Sequence, residues 1–416
     1  MPDVYLCAGV RTPFVKAGGA YAQRSAIDLS VPVVQAMTGR ARPDLLVWGQ
    51  VIPDPSLSSI ARELVFEARL DPTIPAYSTI MACSTSFMGT LEAAGLIGRG
   101  DLHLALVGGA ESMSHVAIAL KYEVAERLLG EFAKNPAGAI ASFAALTPAD
   151  FDLPTKGWAN RVSGRTMGEH MEETAKELGV SRSEQDRRAL LSHRDAIEAQ
   201  DSGFFRDLII PFSGVDHDTF PRRDTSIEKL AQLPAVFDRS GAGTITAGNS
   251  SPLTDGAAAI WVGDDTGLRR LGVTPTVKLV DWEVAAVDFR IDGMLMAPAR
   301  AIPRLLARHK LRAEEIDLWE IHEAFAAQLI ANLKAAADPS YRRERAGVNF
   351  DIGQFPVDRI NPNGGSIALG HPFGATGARI LSQAVKELSA LRAGARAMVS
   401  VCADGGQGTV ALLQRL

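Results

Sequence analysis

Apolar residues along this chain fall into two spacings that alternate with each other. Leu91 to Ile97 carries them at helical spacing. Leu104 to Val107 is a short continuous apolar run, and Gly108-Gly109 is expected to close it as a turn. The order returns near the C-terminus, with a helix predicted over Ala375 to Leu391, a buried strand over Ala397 to Val401 and a turn at Gly405-Gly406. Helical patterns alternating with buried-strand patterns predict an α/β fold with both sheet faces covered. The repetition predicts two similar halves, one over residues 1–115 and 235–265 and the other over residues 275–416.

Residues 116–235 differ in character. They hold Ala-rich runs, Pro136, Pro148 and Pro154, and two charged stretches that predict helices over Glu169 to Leu178 and Ser183 to Gln200. Ser181 or Ser183 is the expected cap of the second. Such an insertion is expected to lie over a sheet edge or face and to carry substrate contacts. Within it, Ala137 to Leu146 either binds a partner or packs on the protein's own body, and packing is the expectation. A second irregular stretch, Asp338 to Phe355, contains Arg342-Arg343-Glu344-Arg345 and reads as a solvated surface excursion.

Composition narrows the class. The 416 residues are 46% hydrophobic and 22% charged, long enough to bury a large core without a disulfide or metal staple. A net charge of −5 gives no reason to expect a nucleic-acid partner. Three cysteines exclude a disulfide framework and point to a reducing compartment, so the cytoplasm is expected. The start MPDVYLCAGVRTPF is not a secretory signal, and no run reaches the ~18 apolar residues of a transmembrane segment.

Three places could carry chemistry. Cys83, in Met81-Ala82-Cys83-Ser84-Thr85-Ser86, opens a helix, where backbone N–H groups are expected to lower the thiol pKa and supply a nucleophile. The alternative is a small core residue. His371 sits in the loop Gly364-Gly365-Ser366-Ile367-Ala368-Leu369-Gly370-His371-Pro372-Phe373-Gly374-Ala375-Thr376-Gly377, whose glycines permit close backbone approach to a ligand, and it could serve as a base for a thiol. Cys402 ends a buried strand just before Asp404-Gly405-Gly406, where α/β proteins assemble sites, or else is a core cysteine. Cys7 lies in an apolar N-terminal strand and reads as structural. No CxxC or HxxxH pair supports zinc, and no GxxxxGK[ST] supports a nucleotide, so no metal is expected.

Together these segments resemble the thiolase family over nearly the whole chain. The resemblance begins at Val10-Arg11-Thr12-Pro13-Phe14 and runs through the Cys83 segment, Gly108-Gly109-Ala110-Glu111-Ser112-Met113-Ser114 and Met167-Gly168. It continues through Gly248-Asn249-Ser250-Ser251-Pro252-Leu253-Thr254-Asp255-Gly256, His322-Glu323-Ala324-Phe325, and the His371 and Cys402 loops. It implies two similar α/β halves in five layers, αβαβα, with a loop domain inserted in the first half at about residues 116–235. The halves would span residues 1–265 and 275–416. It also implies Cys83 as the acylated nucleophile, His371 as the thiol base and Cys402 as the acid/base at the acetyl α-carbon.

By the same resemblance, one oxyanion hole pairs His371 with a water held at His322, and the other uses backbone N–H groups of Cys83 and Asp404. Each such donor is worth roughly 3–4 kcal/mol of barrier. Ser251, Phe237, Phe325 and Met167 match contacts to CoA or the acyl chain. CoA is implied as co-substrate with no permanently bound cofactor, and a homodimer or tetramer is implied.

Two departures stand out. Many members have Asn where this chain has His322, and the His-Glu-Ala-Phe version resembles the β-subunits of fatty-acid oxidation trifunctional complexes. That favours medium- or long-chain 3-ketoacyl-CoA cleavage, with a hydratase/dehydrogenase α-subunit as a partner. Asp404 stands where Gly or Ala is usual. Its carboxylate either faces the oxyanion hole and weakens it, or points outward and leaves only its N–H. The rivals are a condensing enzyme, a short-chain acetoacetyl-CoA thiolase and a catalytically silent acyl-CoA-binding relative. Cys402 argues against the first, and the three chemical groups together argue against the last.

Overall fold

The computed structural model describes residues 2–152 and 159–416, so Pro154 lies outside the described residues. The first half runs β1 (Tyr5–Arg11), α1 (Ala26–Thr38), β2 (Leu45–Gly49), α2 (Ile60–Glu67), α3 (Thr85–Arg99) and β3 (Leu104–Glu111). The insertion then supplies α4 (Tyr122–Lys134), α5 (Pro136–Ser142), α6 (Met167–Glu177) and α7 (Arg182–Asp201) before the chain re-enters the sheet as β4 (Thr254–Gly263). The second half runs β5 (Val277–Ala286), α8 (Ala297–His309), β6 (Leu318–Ile321), α9 (Ala326–Ala337), α10 (Thr376–Ser389), β7 (Arg396–Ala403) and β8 (Gln407–Arg415).

The pairing repeats. In the first half β2 lies parallel to β3, β3 antiparallel to β4 and β4 antiparallel to β1. In the second β6 lies parallel to β7, β7 antiparallel to β8 and β8 antiparallel to β5. The two sets meet where Tyr5 and Leu6 of β1 pair with Lys278 and Val277 of β5. The long insertion between β3 and β4 occupies the place where β7 and β8 are joined by a turn at Asp404-Gly405-Gly406. Both glycines there have positive φ, +82° and +74°.

Each half has two apolar faces, because side chains alternate along a strand. Val47, Val107 and Ile260 pack with Val399, Val401 and Leu413 around the central helices α3 and α10. Leu46, Trp48, Leu106 and Trp261 face the other way, onto α1 and α2. Met398, Val410 and Leu412 likewise face α8 and α9. The layers therefore read helix, sheet, helix, sheet, helix. The central helices approach closely, since a Cβ on Gly377 would sit 2.1 Å from the Phe87 backbone nitrogen.

Four expectations need correction. Gly108-Gly109 is not a turn. Strand β3 runs through both to Glu111, and a Cβ on Gly109 would lie 2.2 Å from the Gly374 carbonyl oxygen. The glycines there admit the His371 loop against the strand. The Ser183–Gln200 helix starts earlier, at Arg182, because Ser181 and Glu184 form a reciprocal capping box. The Asp338–Phe355 stretch is not wholly solvated: Arg342 is buried and donates to the carbonyls of Ala336 (3.2 Å) and Ala337 (2.5 Å) at the C-terminus of α9. Finally, Ala137 to Leu146 packs little on the body. Ile140 and Phe143 are exposed, and α4 and α5 bury chiefly Leu128 and Ala139.

Candidate active site

Cys83 lies in a single 3-10 turn, Ala82–Ser84, at the head of α3. Ala82, just before it, has a φ of +44°, a conformation that costs a non-glycine residue about 1–3 kcal/mol. The turn is tied down on both sides. The Met81 N–H donates to Thr85 Oγ1 (2.9 Å), and Ser84 Oγ donates to the Val401 carbonyl (3.2 Å), one residue from Cys402. This brings the ends of α3 and β7 together.

His371 reaches the same place from the Gly-rich loop. Its Nε2 lies 3.2 Å from Cys83 Sγ. Its Nδ1 lies 2.6 Å from Thr376 Oγ1, which donates onward to the Pro372 carbonyl (3.2 Å). With the threonine proton committed, Nδ1 carries the imidazole proton and Nε2 keeps its lone pair toward the thiol. The loop is held by Glu111, whose buried carboxylate accepts from the N–H groups of Val51, Ile52 and Gly374, and by Thr254 Oγ1, which accepts the His371 N–H (2.9 Å).

The resting pair is neutral. Burial, reinforced by the Asp404 carboxylate, pushes the Cys83 thiol up to about 12. Burial and the Arg379 guanidinium lower His371 to about 3. The expected low thiol pKa is thereby overturned. Backbone N–H groups of Cys83 and Asp404 do approach the sulfur and favour the thiolate, but desolvation outweighs them. A thiolate at Cys83 would therefore have to be made by proton transfer to His371 rather than by standing ionisation.

Cys402 is fully buried, and burial with the nearby Cys83 holds its thiol well above the ordinary range. It shares an apolar cluster with Met167, Phe237 and Phe325. Phe237 meets Phe325 edge to face at 5.9 Å. Ser251 is placed beside them, its N–H donating to the Ala324 carbonyl (2.9 Å). Asp404 is turned partly outward: its Oδ1 accepts from Asn160 Nδ2 (2.9 Å) and from the Gly405 N–H (2.6 Å).

His322 follows β6 and lies ring to ring with His371 at 4.1 Å. Its Nδ1 meets Ser366 Oγ at 2.8 Å, and its Nε2 is buried without a partner among the described residues. The next residue, Glu323, is also buried and accepts from Arg188 Nε (2.8 Å), Ser192 Oγ (2.7 Å) and Asn361 Nδ2 (2.9 Å). Ligand atoms of Cys83, His322 and His371 lie within 4.8 Å of one another. Local spacing gave no hint of that convergence, because the three come from distant segments.

Residues without an assigned role in the sequence reading prove to hold this site: Thr376, Ser366, Arg379, Glu323, Arg188 and Asn160. Thr376 and Ser366 each stand five positions from His371, so their place in its loop was the available signal. Arg188 and Asn160 come from the insertion and carried none.

A cysteine paired with a neutral imidazole, beside a second buried cysteine, defines an acyl-transfer centre. The model of the thiolase N-terminal domain matches residues 4–265, and that of the thiolase C-terminal domain matches residues 273–415. The 3-ketoacyl-CoA thiolase of Yersinia enterocolitica is 36% identical, with 99% of this chain and 96% of the relative covered. The Shewanella woodyi protein of the same name matches equally well. Among solved structures, the acetyl-CoA acetyltransferase of Bacillus anthracis superposes with a TM-score of 0.83 at 29% identity, covering 100% of this chain and 99% of the other. An Ascaris suum thiolase in complex with coenzyme A gives 0.80 at 27% identity, with both chains fully covered.

The chain belongs to the thiolase family and has the thiolase fold. It is an acyltransferase enzyme.

Proposed function

We propose that this enzyme is a 3-ketoacyl-CoA thiolase that cleaves medium- and long-chain substrates with CoA, yielding acetyl-CoA and a shortened acyl-CoA. The single observation that carries this is the 3.2 Å contact between Cys83 Sγ and His371 Nε2, with Cys402 buried alongside. His371 Nε2 takes the Cys83 proton as sulfur attacks the ketone carbon. The tetrahedral oxyanion, on the carbon bonded to Cys83 sulfur, is met by the N–H groups of Cys83 and Asp404, and the C2–C3 bond breaks. Cys402 gives its proton to the acetyl-CoA enolate, whose oxygen is met on the His371 and His322 side. The proton on His371 then passes to the Cys402 thiolate. His371 takes the proton of incoming CoA, whose sulfur attacks the acyl group, and returns it to the departing Cys83.

Met167, Phe325 and Ser251 line the acyl and pantetheine side of the site, and Phe237, edge to face with Phe325, lies toward the adenine end of CoA. The halves act as units over residues 1–265 and 275–416, with the loop domain at 116–235. The 3-ketoacyl-CoA substrate class is supported by the names of the 36%-identical relatives, and the preference for longer acyl chains by the His322-Glu323-Ala324-Phe325 resemblance. A short-chain acetoacetyl-CoA reaction is the second reading, favoured by the likeness to the Bacillus anthracis acetyl-CoA acetyltransferase.

No described helix is long and apolar enough to cross a membrane. We place the enzyme in the cytoplasm as a homodimer or tetramer. The exposed Ile118, Tyr122, Leu129, Phe132, Ile140 and Phe143 offer a surface to a hydratase/dehydrogenase α-subunit.

Cys402→Ser tests the division of labour. It is expected to accept an acyl group on Cys83 from acyl-CoA yet lose exchange at the acetyl α-carbon. Unimpaired exchange removes Cys402 from the mechanism.

A further inference from the structure

We infer that Arg379 and Ser366 are positioning residues that fix the tautomer of His322, making its Nε2–H a donor aimed into the acyl-transfer site. This rests on the proposed reading in which the His322 side meets the enolate oxygen. The relay has a fixed direction at one end. Arg379 Nη2 lies 2.7 Å from Ser366 Oγ, and a guanidinium donates only, so Ser366 Oγ is an acceptor there. Ser366 is fully buried, and its sole other side-chain partner among the described residues is His322 Nδ1 at 2.8 Å. If Nδ1 carried the ring proton, the serine hydroxyl proton would be buried with no acceptor. The satisfied arrangement has Arg379 donating to Ser366 and Ser366 donating to Nδ1. The ring proton is then on Nε2.

Of the two ring nitrogens, that one has no partner among the described residues. The protein offers that N–H no acceptor, which leaves it to the water that the resemblance puts at His322 and to charge that appears during the reaction. Neighbouring His371 is set the other way, with Thr376 at Nδ1 and a lone pair at Nε2. Arg379 also keeps a cation behind the serine, 4.0 Å from Glu320 and only 2% exposed at its side chain. Its charge favours a neutral His322, so the ring donates without becoming imidazolium.

Joint neutron and X-ray crystallography of the deuterated enzyme tests the assignment directly. A deuteron on His322 Nε2 and none on Nδ1 is expected, and a deuteron on Nδ1 overturns the inference. Kinetics supply the second arm. Ser366→Ala is expected to lower kcat roughly tenfold or more with little change in KM for CoA, because only transition-state donation is lost. Ser366→Thr keeps the hydroxyl and is expected to restore most of it. Alkylation of Cys83 by iodoacetamide, which uses His371 and not His322, is expected to stay at the wild-type rate in Ser366→Ala. Full turnover in Ser366→Ala alongside lost turnover in His322→Ala overturns the relay and spares the reading of His322. Full turnover in His322→Ala overturns both.

Discussion

His322 and His371 face each other with ring centroids 4.1 Å apart and planes tilted by 50°, and their hydrogen bonds set them to opposite tasks. Thr376 holds His371 with its free Nε2 on the Cys83 thiol, while Ser366 occupies His322 at Nδ1. In the proposed mechanism one ring accepts a proton and the other donates a hydrogen bond. Both must be uncharged for this, and burial enforces it.

The fold should consequently lose stability in mild acid. Burial, then His371 and Arg379, holds His322 well below the ordinary histidine value, and His371 is lowered to about 3. Unfolded histidines bind protons near 6.5, so between that pH and about 3 the unfolded chain holds more protons than the folded one. This contribution is complete above pH 6.5 and is lost as pH falls toward 3. At pH 5 the loss at His371 alone is about 2 kcal/mol relative to pH 7. Urea midpoints measured at both values should fall less in His371→Asn than in the wild type. An identical fall in the two proteins contradicts it.

Thiol chemistry should depend on His371 more than on pH. An unassisted thiol with a pKa of about 12 reacts about tenfold faster per pH unit up to that value. With His371 neutral throughout, iodoacetamide should label wild-type Cys83 at a rate nearly flat from pH 5.5 to 8.5. His371→Ala should show the steep dependence. Equal slopes would mean that the imidazole does not take the thiol proton.

Asp404 answers to Asn160 rather than to the substrate side. Its Oδ1 is taken by Asn160 Nδ2 and the Gly405 N–H, yet its charge raises the Cys83 thiol. Asp404→Asn keeps an oxygen for Asn160 and the Gly405 N–H. It should lower the thiol pKa and speed labelling in the His371→Ala background, where rate follows the thiolate fraction. A pH–rate profile unmoved by Asp404→Asn rules out that electrostatic link.

Arg188 and Glu323 form a buried ion pair at 2.8 Å, one from the insertion and one beside His322. Removing the cation strands a buried carboxylate, so Arg188→Met should cost about 3–5 kcal/mol in unfolding free energy. A loss below 1 kcal/mol, as for an exposed pair, would show that Glu323 is compensated elsewhere.

The layered repeat was legible because strands buried on both faces leave largely apolar runs, as at Leu104–Val107 and, with only Ser400 polar, at Ala397–Val401. The glycines at Gly108-Gly109 misled, because a glycine that admits another backbone has the same letter as one that turns the chain. Cys83, His371, Cys402 and His322 were found through motif and resemblance, and the fold gathers them. What stayed hidden was long-range. Asn160 reaches Asp404 across 244 positions and Arg188 reaches Glu323 across 135, and neither contact leaves a local pattern. The low thiol pKa expected at Cys83 fails for a related reason. A helix N-terminus is visible in sequence, while the desolvation that overrides it is a property of the whole packed site.

CoA-dependent cleavage of 3-ketoacyl-CoAs of short, medium and long chain length, followed as loss of the Mg²⁺-enolate absorbance, tests the central claim most directly. The account predicts turnover that rises with chain length and vanishes in a folded Cys83→Ser variant. Cleavage undiminished in Cys83→Ser, or no cleavage at any chain length by the wild-type enzyme, would contradict it.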